Sequence, residues 1–327
     1  MKSEILNVLR ASDGYVSGQE LCDRFGVSRT AIWKGIHQLK EEGYEIEAVP
    51  RKGYRLCGCP DHITQVELES RMQTGWAAKK LYYLDTVDST NDYAKRLAEE
   101  GAQHGTVVVA DEQTKGKGRR GRVWETPAGT NIAMSMVVRP QQLAPEKASM
   151  MTLLAGMAVA CAVRETTGLE VGIKWPNDTV IHGKKISGTL TEMSMELGAI
   201  HYLVIGTGIN ANMDEVPEYL RETATTLKRE LGRPVNRAQL ICAYMKSFEE
   251  YYDKFMEHQD LSLLIEEYHS MLVNKDREVR VLEPGHEYNG IARGINAQGC
   301  LLVEKKDGSI AEVYAGEVSV RGIYGYT

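Results

Sequence analysis

Gln113-Thr-Lys-Gly-Lys-Gly-Arg-Arg-Gly-Arg-Val-Trp124 sets the reading of the whole chain. Between Lys115 and Arg122 stand three glycines and five basic residues, with no apolar side chain. Such a segment has nothing to bury in a core and is expected to be a mobile loop. An apolar run, Thr106-Val-Val-Val-Ala110, precedes it and reads as a strand. Ile132, Met134, Met136 and Val138 mark a second strand after it. A positive, glycine-rich loop between two core strands suits an anion clamp. Glycine allows close backbone approach, and arginine presents a planar fork of donors.

Four other readings compete. The loop could be a solvated basic face, or a short nucleic-acid or nuclear-localisation patch. Gly116-x-Gly118-x-x-Gly121 has the spacing of a dinucleotide fingerprint, but that loop opens a helix. Here Arg122-Val-Trp-Glu-Thr-Pro127 is β-like and broken by proline. A near-match at Gly206-x-Gly208-x-x-Ala211 is equally weak, and no GxxxxGK[ST] phosphate loop occurs.

Working outward, Ile5, Leu6, Val8 and Leu9 give a first helix an apolar stripe. Ser17-x-x-Glu20 is a capping box that starts a second, which Gly26 ends. Ser28 caps a third, with Ile32, Ile36 and Leu39 on one face and Arg29, Thr30 and Lys34 towards its start. This is a helix-turn-helix. Tyr44 to Val49 and Tyr54 to Leu56 then form a hairpin whose tip, Pro50-Arg-Lys-Gly53, is basic: the wing of a winged helix. Winged helices also serve as protein-binding modules. The basic tip favours DNA phosphate or a narrow minor groove. Trp33 suits either core or contact and receives no role. Cys57-Gly-Cys-Pro-Asp61 is expected to be a linker.

A strand near Lys80 to Leu84 leads to Asp88-Ser-Thr-Asn91 and a helix through Ala94, Leu97 and Ala98. Small polar residues there either cap the helix or face a ligand together with first-turn amides. Met150 to Val163 reads as a buried helix, too short for a bilayer. Val171-Gly-Ile-Lys-Trp-Pro-Asn-Asp178 is followed by a hairpin through Gly183-Lys184, and His201 to Gly206 returns antiparallel. Lys185 enters a strand, either snorkelling or as a fixed cation aimed at the loop's site. Asn177 and Asp178 equally suit a plain turn. Helices over 237–257 and 262–272 follow, the first with Phe248, Tyr251, Tyr252 and Phe255 as core. Short strands from Val279 to Val320 suit a small SH3-like barrel.

The 327 residues suggest two or three domains, and 43% hydrophobic with 26% charged residues fits a globular protein. Residues 1–60 hold 9 Lys/Arg against 8 Asp/Glu, while the whole chain carries −6, so the first domain is the one suited to a polyanion. The six scattered cysteines offer no paired zinc site, and no protein-held metal is expected. No secretory signal opens the sequence, so free thiols, a cytoplasmic location and no membrane association are expected.

Asp88-Ser-Thr-Asn91, Gly116-Lys-Gly-Arg-Arg-Gly-Arg122, Lys174-Trp-Pro-Asn-Asp178, Lys185-Ile-Ser-Gly188 and Gly206-Thr-Gly-Ile-Asn210 occur in this order. The combination resembles the bifunctional biotin–protein ligases that also repress the biotin operon, over essentially the whole chain. The resemblance implies an α+β protein: a winged helix-turn-helix (1–60), a central mixed-sheet catalytic domain related to class II synthetases (62–275), and an SH3-like domain (276–327). It implies two steps. Biotin and MgATP give biotinyl-5′-AMP and pyrophosphate; the biotinyl group then passes to a lysine of a carboxylase carrier domain. The adenylate also promotes dimerisation on operator DNA.

By the same resemblance Lys185 and Arg119 are catalytic. Ser89, Thr90, Asn91, Gln113, Lys117, Gly118, Arg119 and Lys185 surround biotin. Gly116, Arg120, Arg122, Asn177, Gly188 and Asn210 stand on the nucleotide side. Gly18, Ser28, Arg29, Thr30, Lys34, His37, Arg51 and Lys52 would meet DNA. The chemistry agrees. An ionised carboxylate needs no general base for the first step, but repulsion between anions demands positioning and cations. The family loop more often has arginine at Lys117, where charge is kept and the fork is lost. The nucleotide-side loop, about Ala211 to Leu227, has no tryptophan to cover a base. For the second step, Asp178 is the candidate to orient or deprotonate the acceptor amine. A lipoate or octanoate ligase, and a ligand-sensing repressor without ligase activity, are the alternatives.

Overall fold

The structure is a computed structural model that describes residues 1–59, 63–282, 287–315, 319–322 and 326. The expected linker residues Pro60 and Asp61, and Val318 of the last strand, lie outside them. Two compact units result, Met1–Met72 with Asn236–Gln239, and Gln73–Val235 with Leu240–Thr327.

In the first unit, α1 (Lys2–Ala11), α2 (Gly18–Phe25) and α3 (Arg29–Glu41) precede a hairpin of β1 (Glu45–Val49) and β2 (Gly53–Gly58). The capping signals act as expected. Ser17 Oγ accepts from the Glu20 amide, Ser28 Oγ from Ala31, and Gly26 ends α2 at φ 64°. Ile5, Leu6, Leu9, Leu21, Ile32, Ile36 and Leu39 make one core. The unit continues past residue 60 into α4 (Gln65–Arg71), which packs on α1. Its buried Glu67 is held by Arg10 (2.9 Å), Arg71 (2.5 Å) and the Tyr44 hydroxyl (2.8 Å). Burying a carboxylate this deeply is tolerable only with such a full set of partners.

The second unit begins with β3 (Leu81–Val87), α5 (Thr90–Glu99), β4 (Thr106–Gln113), β5 (Ile132–Val138) and α6 (Met150–Thr167). Then come β6 (Gly172–Lys174), β7 (Asp178–Ile181), β8 (Lys184–Glu196) and β9 (Ala199–Ile209). They form one sheet in the order β3-β4-β5-β9-β8-β7-β6. Only β3–β4 is parallel, joined through α5, so the sheet is mixed and not a doubly wound nucleotide fold. All seven residues of β5 are buried, so both sheet faces are covered. α6 is long and apolar enough to cross a membrane, but most of it is buried against the sheet. The β7–β8 turn falls on His182 and Gly183, at φ 48° and 74°, one residue earlier than the sequence suggested. A two-residue turn with positive φ at both positions matches strand twist, which leaves Lys184 free to open β8.

α7 (Leu227–Leu231), α8 (Arg237–His258) and α9 (Ile265–Met271) follow. Phe248, Tyr251, Tyr252 and Phe255 are core as expected. β10 (Arg277–Leu282), β11 (Tyr288–Ile295), β12 (Leu301–Glu304), β13 (Ile310–Val313) and β14 (Ser319–Gly322) make an antiparallel sheet in the order β13-β12-β11-β10-β14. Among the described residues no pairing of β13 with β14 closes it into the expected barrel.

Candidate active site and nucleic-acid interface

The register lines up Asp178, Gly188, Gly208, Ala133 and Ala110 as cross-strand neighbours on β7, β8, β9, β5 and β4. Small residues in this row leave room above the sheet. A Cβ on Gly206 would stand 2.0 Å from Asn91 Oδ1, and one on Gly208 2.3 Å from the Trp124 indole. The Gly206-Thr-Gly208 motif therefore clears space for two side chains.

Two cavities open here. Ser89, Thr90, Asn91, Gln113, Lys117, Gly188, Thr189, Gly206 and Thr207 line the first. Arg120, Arg122, Asn210, Val216, Tyr219 and Tyr326 line the second. Gly118, Arg119, Trp124, Asn177 and Lys185 line both. The structure thus brings every expected biotin-side residue to one cavity. Of the expected nucleotide-side residues, Arg120, Arg122, Asn177 and Asn210 reach the second. Gly188 lies only in the first, beneath Lys185, and Gly116 lines neither. Gly116 serves the loop's path instead: a Cβ there would meet the Trp124 carbonyl at 2.1 Å.

The first cavity is a hydrogen-bonded polar pocket. Ser89 heads α5 without a side-chain cap bond, and the Thr90 amide donates to Gln113 Oε1 at 2.8 Å. The Thr90 hydroxyl reaches the same oxygen at 3.1 Å, and Ser135 Oγ donates to Asn91 Oδ1 at 2.6 Å. Asn91 in turn donates to Glu192 at 2.7 Å. These side chains are fixed before any ligand arrives, which favours specific recognition of a small polar ring.

The basic loop is folded over this pocket. The Gly118 amide donates to the Arg122 carbonyl at 2.7 Å, and the Trp124 amide to Gly116 at 3.0 Å. Lys117 pairs with Asp92 at 2.6 Å, and Arg119 donates to Asn177 Oδ1 at 2.7 Å. Burial draws the Arg119 guanidinium below its ordinary value, opposed by Asp178 and reinforced by Arg120 and Arg122. It remains a cation, and a partly desolvated one acts strongly on an anion.

Lys185 Nζ sits 2.5 Å from Asp178 Oδ1, and a Tyr326 hydroxyl donates to Asp178 Oδ2. The fixed-cation reading of Lys185 is therefore the one the geometry supports. Burial raises the Asp178 carboxyl, but Lys185, Tyr326 and Lys174 outweigh it and hold the group below the ordinary range. Asp178 is an ionised acceptor in this state.

Trp124, Asp92, Tyr219 and Tyr326 carry no role in the sequence reading. Trp124 ends the quoted stretch and could have been found there: it is the one large side chain after the flexible run. Its indole stands 5.5 Å below Lys185 Nζ and separates the cavities, and the exposed Tyr219 supplies a second ring. The second cavity thus has aromatic cover although 211–227 holds no tryptophan.

In the first unit, a cleft between α2–α3 and the wing is lined by Gly18, Gln19, Arg29, Arg51 and Lys52. Arg29 is steadied by Gln19 at 2.8 Å. Thr30 and Lys34 are exposed on α3. Ser28 spends its hydroxyl on the cap, and His37 stands 3.3 Å from Glu41. Trp33 is 56% exposed, which removes the core reading.

A helix-turn-helix unit joined to a two-chambered cation-lined site defines a DNA-binding ligase class. Residues 83–210 match the biotin/lipoate A/B protein ligase family model, 2–55 a helix-turn-helix domain, and 276–321 the biotin protein ligase C-terminal domain. Bifunctional ligase/repressor BirA of Bacillus spizizenii is 38% identical over 95% of this chain and 95% of its own. The Escherichia coli protein of the same name is 32% identical over 97% and 96%. The Aquifex aeolicus biotin protein ligase solved with biotin and ATP is 33% identical, covers 75% of this chain and 99% of its own, and has a TM-score of 0.67. The chain belongs to the biotin/lipoate A/B protein ligase family, on the bifunctional ligase/repressor branch.

Proposed function

We propose that the protein activates biotin with ATP, transfers it to a lysine of a biotin carboxyl carrier domain, and represses transcription from an operator. The carrying observation is the shared wall: Arg119, Asn177, Lys185 and Trp124 face both cavities at once. A carboxylate in the first chamber and an α-phosphate in the second would meet there, between two cations. Bond formation between two anions needs that arrangement. Arg120 and Arg122 would take the outer phosphates. Among the described residues no cluster of three or more His, Cys, Asp or Glu forms a metal cage. In this reading Mg²⁺ would arrive on the nucleotide, held by its phosphates and water.

Within this reading, Ser89, Thr90, Asn91 and Gln113 recognise the biotin rings, and Lys117, Gly118 and Arg119 close over them. Gly18, Arg29, Thr30, Lys34, Arg51 and Lys52 meet the operator, and Ser28 and His37 support that face. The operator-binding, catalytic and third domains are drawn at 1–60, 62–275 and 276–327, with α4 at the head of the middle stretch packing on α1 and so serving the operator-binding unit, and with the third domain as a closed SH3-like barrel. The ligand-bound protein acts as a homodimer in the cytoplasm, without a membrane partner. Biotin-dependent exchange of label between pyrophosphate and ATP tests the catalytic half. Exchange with lipoate or octanoate but not biotin would replace it by the alternative ligase; no exchange with any acid would leave a repressor alone.

A further inference from the structure

The basic loop is a ribbon tied to itself. Gln113 bridges Thr126, Lys117 bridges Val123, and the Trp124 and Gly118 amides donate to Gly116 and Arg122. Whatever holds Lys117 therefore holds the tip of the loop, and Arg119 with it. Lys117 Nζ stands 2.6 Å from Oδ2 of Asp92, in the first turn of α5. The other oxygen, Oδ1, takes Lys95 at 3.0 Å. Lys95 also reaches Glu192 at 2.8 Å, and Glu192 accepts from Asn91 at 2.7 Å. A chain of charges thus runs from the loop to an asparagine that lines the first cavity. Burial raises the Asp92 carboxyl, but Lys117 and Lys95 outweigh it and hold the group below the ordinary range. An acidic residue in a first turn favours its helix unaided, and that role needs no partner from a distant loop.

We infer that Asp92 is a positioning residue: through Lys117 it anchors the tip of the basic loop, and so sets how long the ligand beneath stays bound. This rests on the ligase reading above. Arg119 ties the same tip to Asn177 beside β7, so the tip is held at two separate points. Lys117 spends its charge on α5 and leaves Arg119 and Lys185 as cations at the shared wall. The anchor also accounts for lysine at this position. With Oδ1 given to Lys95, Asp92 offers Lys117 one oxygen, which suits a point charge and not a two-pronged fork.

The test uses the full chain with Asp92→Asn, Lys117→Met and the two combined. Each is loaded with labelled biotinyl-AMP and chased with the unlabelled compound, and release is timed at low and high sodium chloride. Release is expected to be about threefold to fivefold faster in either single variant, the scale of one partly exposed ion pair. The combined variant should be no faster than either, because the two groups act through each other. Wild-type release should quicken with salt more steeply than release from Asp92→Asn. The limiting rate of pyrophosphate exchange in Asp92→Asn should stay within about twofold, while the biotin concentration giving half that rate rises. Unchanged release in either single variant overturns the inference. So does an Asp92→Asn effect that persists in full on the Lys117→Met background, which would confine the residue to its helix. Lys117→Met changes an exposed loop residue, so it tests the same pair even if Asp92→Asn does not fold. A wild-type protein that neither holds biotinyl-AMP nor exchanges with biotin would sink the ligase reading instead.

Discussion

Lys185 and Asp178 form a tight pair at the wall between the chambers, and removing either charge has two separable consequences. Lys185→Ala should slow adenylation by roughly two orders of magnitude or more, the scale of one lost electrostatic contact. It should also destabilise the second unit by about 3 kcal/mol, because Asp178 is left buried with its closest cation gone. Lys185→Met combined with Asp178→Asn should recover most of that stability and none of the activity. Urea unfolding and pyrophosphate exchange on the same samples separate the two; full stability in Lys185→Ala would contradict the buried pair. Arg119 behaves differently, since its bond to Asn177 ties the loop across the wall. Arg119→Gly should loosen retention of the adenylate more than its formation, so a bystander protein mixed with the variant, biotin and ATP becomes labelled. Labelling confined to the carrier lysine would show that the loop does not act as a clamp.

At the scale of the element, α4 depends on one buried carboxylate. Glu67 feels burial first, which raises it, but Arg71, Arg10 and Tyr44 more than compensate and the group lies below the ordinary glutamate range. A depressed folded value means stability that is complete above the unfolded value of about 4.3 and is lost as pH falls through the folded one. The first unit should therefore show an acid limb in its stability below about pH 4. Glu67→Gln should flatten that limb and lower stability at pH 7 by about 3 kcal/mol, leaving two arginines without their carboxylate. Thermal melts of both forms between pH 3 and 7 decide it, and an identical acid limb in Glu67→Gln would assign the effect elsewhere.

For the molecule as a whole, operator binding should require the first unit and tighten with biotin plus ATP. A ligand that orders the loop can shift a monomer–dimer balance only if the dimer favours the ordered loop. Two winged helices on a two-fold axis would then hold paired half-sites, and phosphate contacts would weaken with salt. Gel shifts with and without biotin, ATP and unmodified carrier measure this; equal affinity in every condition would uncouple the repressor from the ligase. A shortened chain should begin at Gln73, since α4 belongs to the first unit. Beginning at residue 61 strands Val66 without the core it packs on and Glu67 without Arg10 and Tyr44, so that chain should be the less soluble of the two.

Local signals determined much of this protein. Ser17, Gly26 and Ser28 fix the helix-turn-helix by hydrogen bonds within four residues, which is why its elements are legible without a fold. The run of glycine and arginine in 115–122 announces an anion loop for the same reason: its composition forbids a core. Two chambers, and which residues share their wall, were decided only by strand register, which sets Gly188, Gly208 and Ala133 side by side from three distant segments. Gly188 illustrates the difference. Its motif suggested the nucleotide, while pairing with Asp178 and Gly208 sets it beneath the first cavity and not the second. Lys185 read more readily as a snorkelling residue than as a fixed cation until folding brought Asp178 to 2.5 Å. Tyr326 lies 148 residues from Asp178 in sequence, and nothing local to either marks the contact. Charges that meet across a sheet leave no periodic trace, because their spacing depends on topology and not on the pitch of any one element.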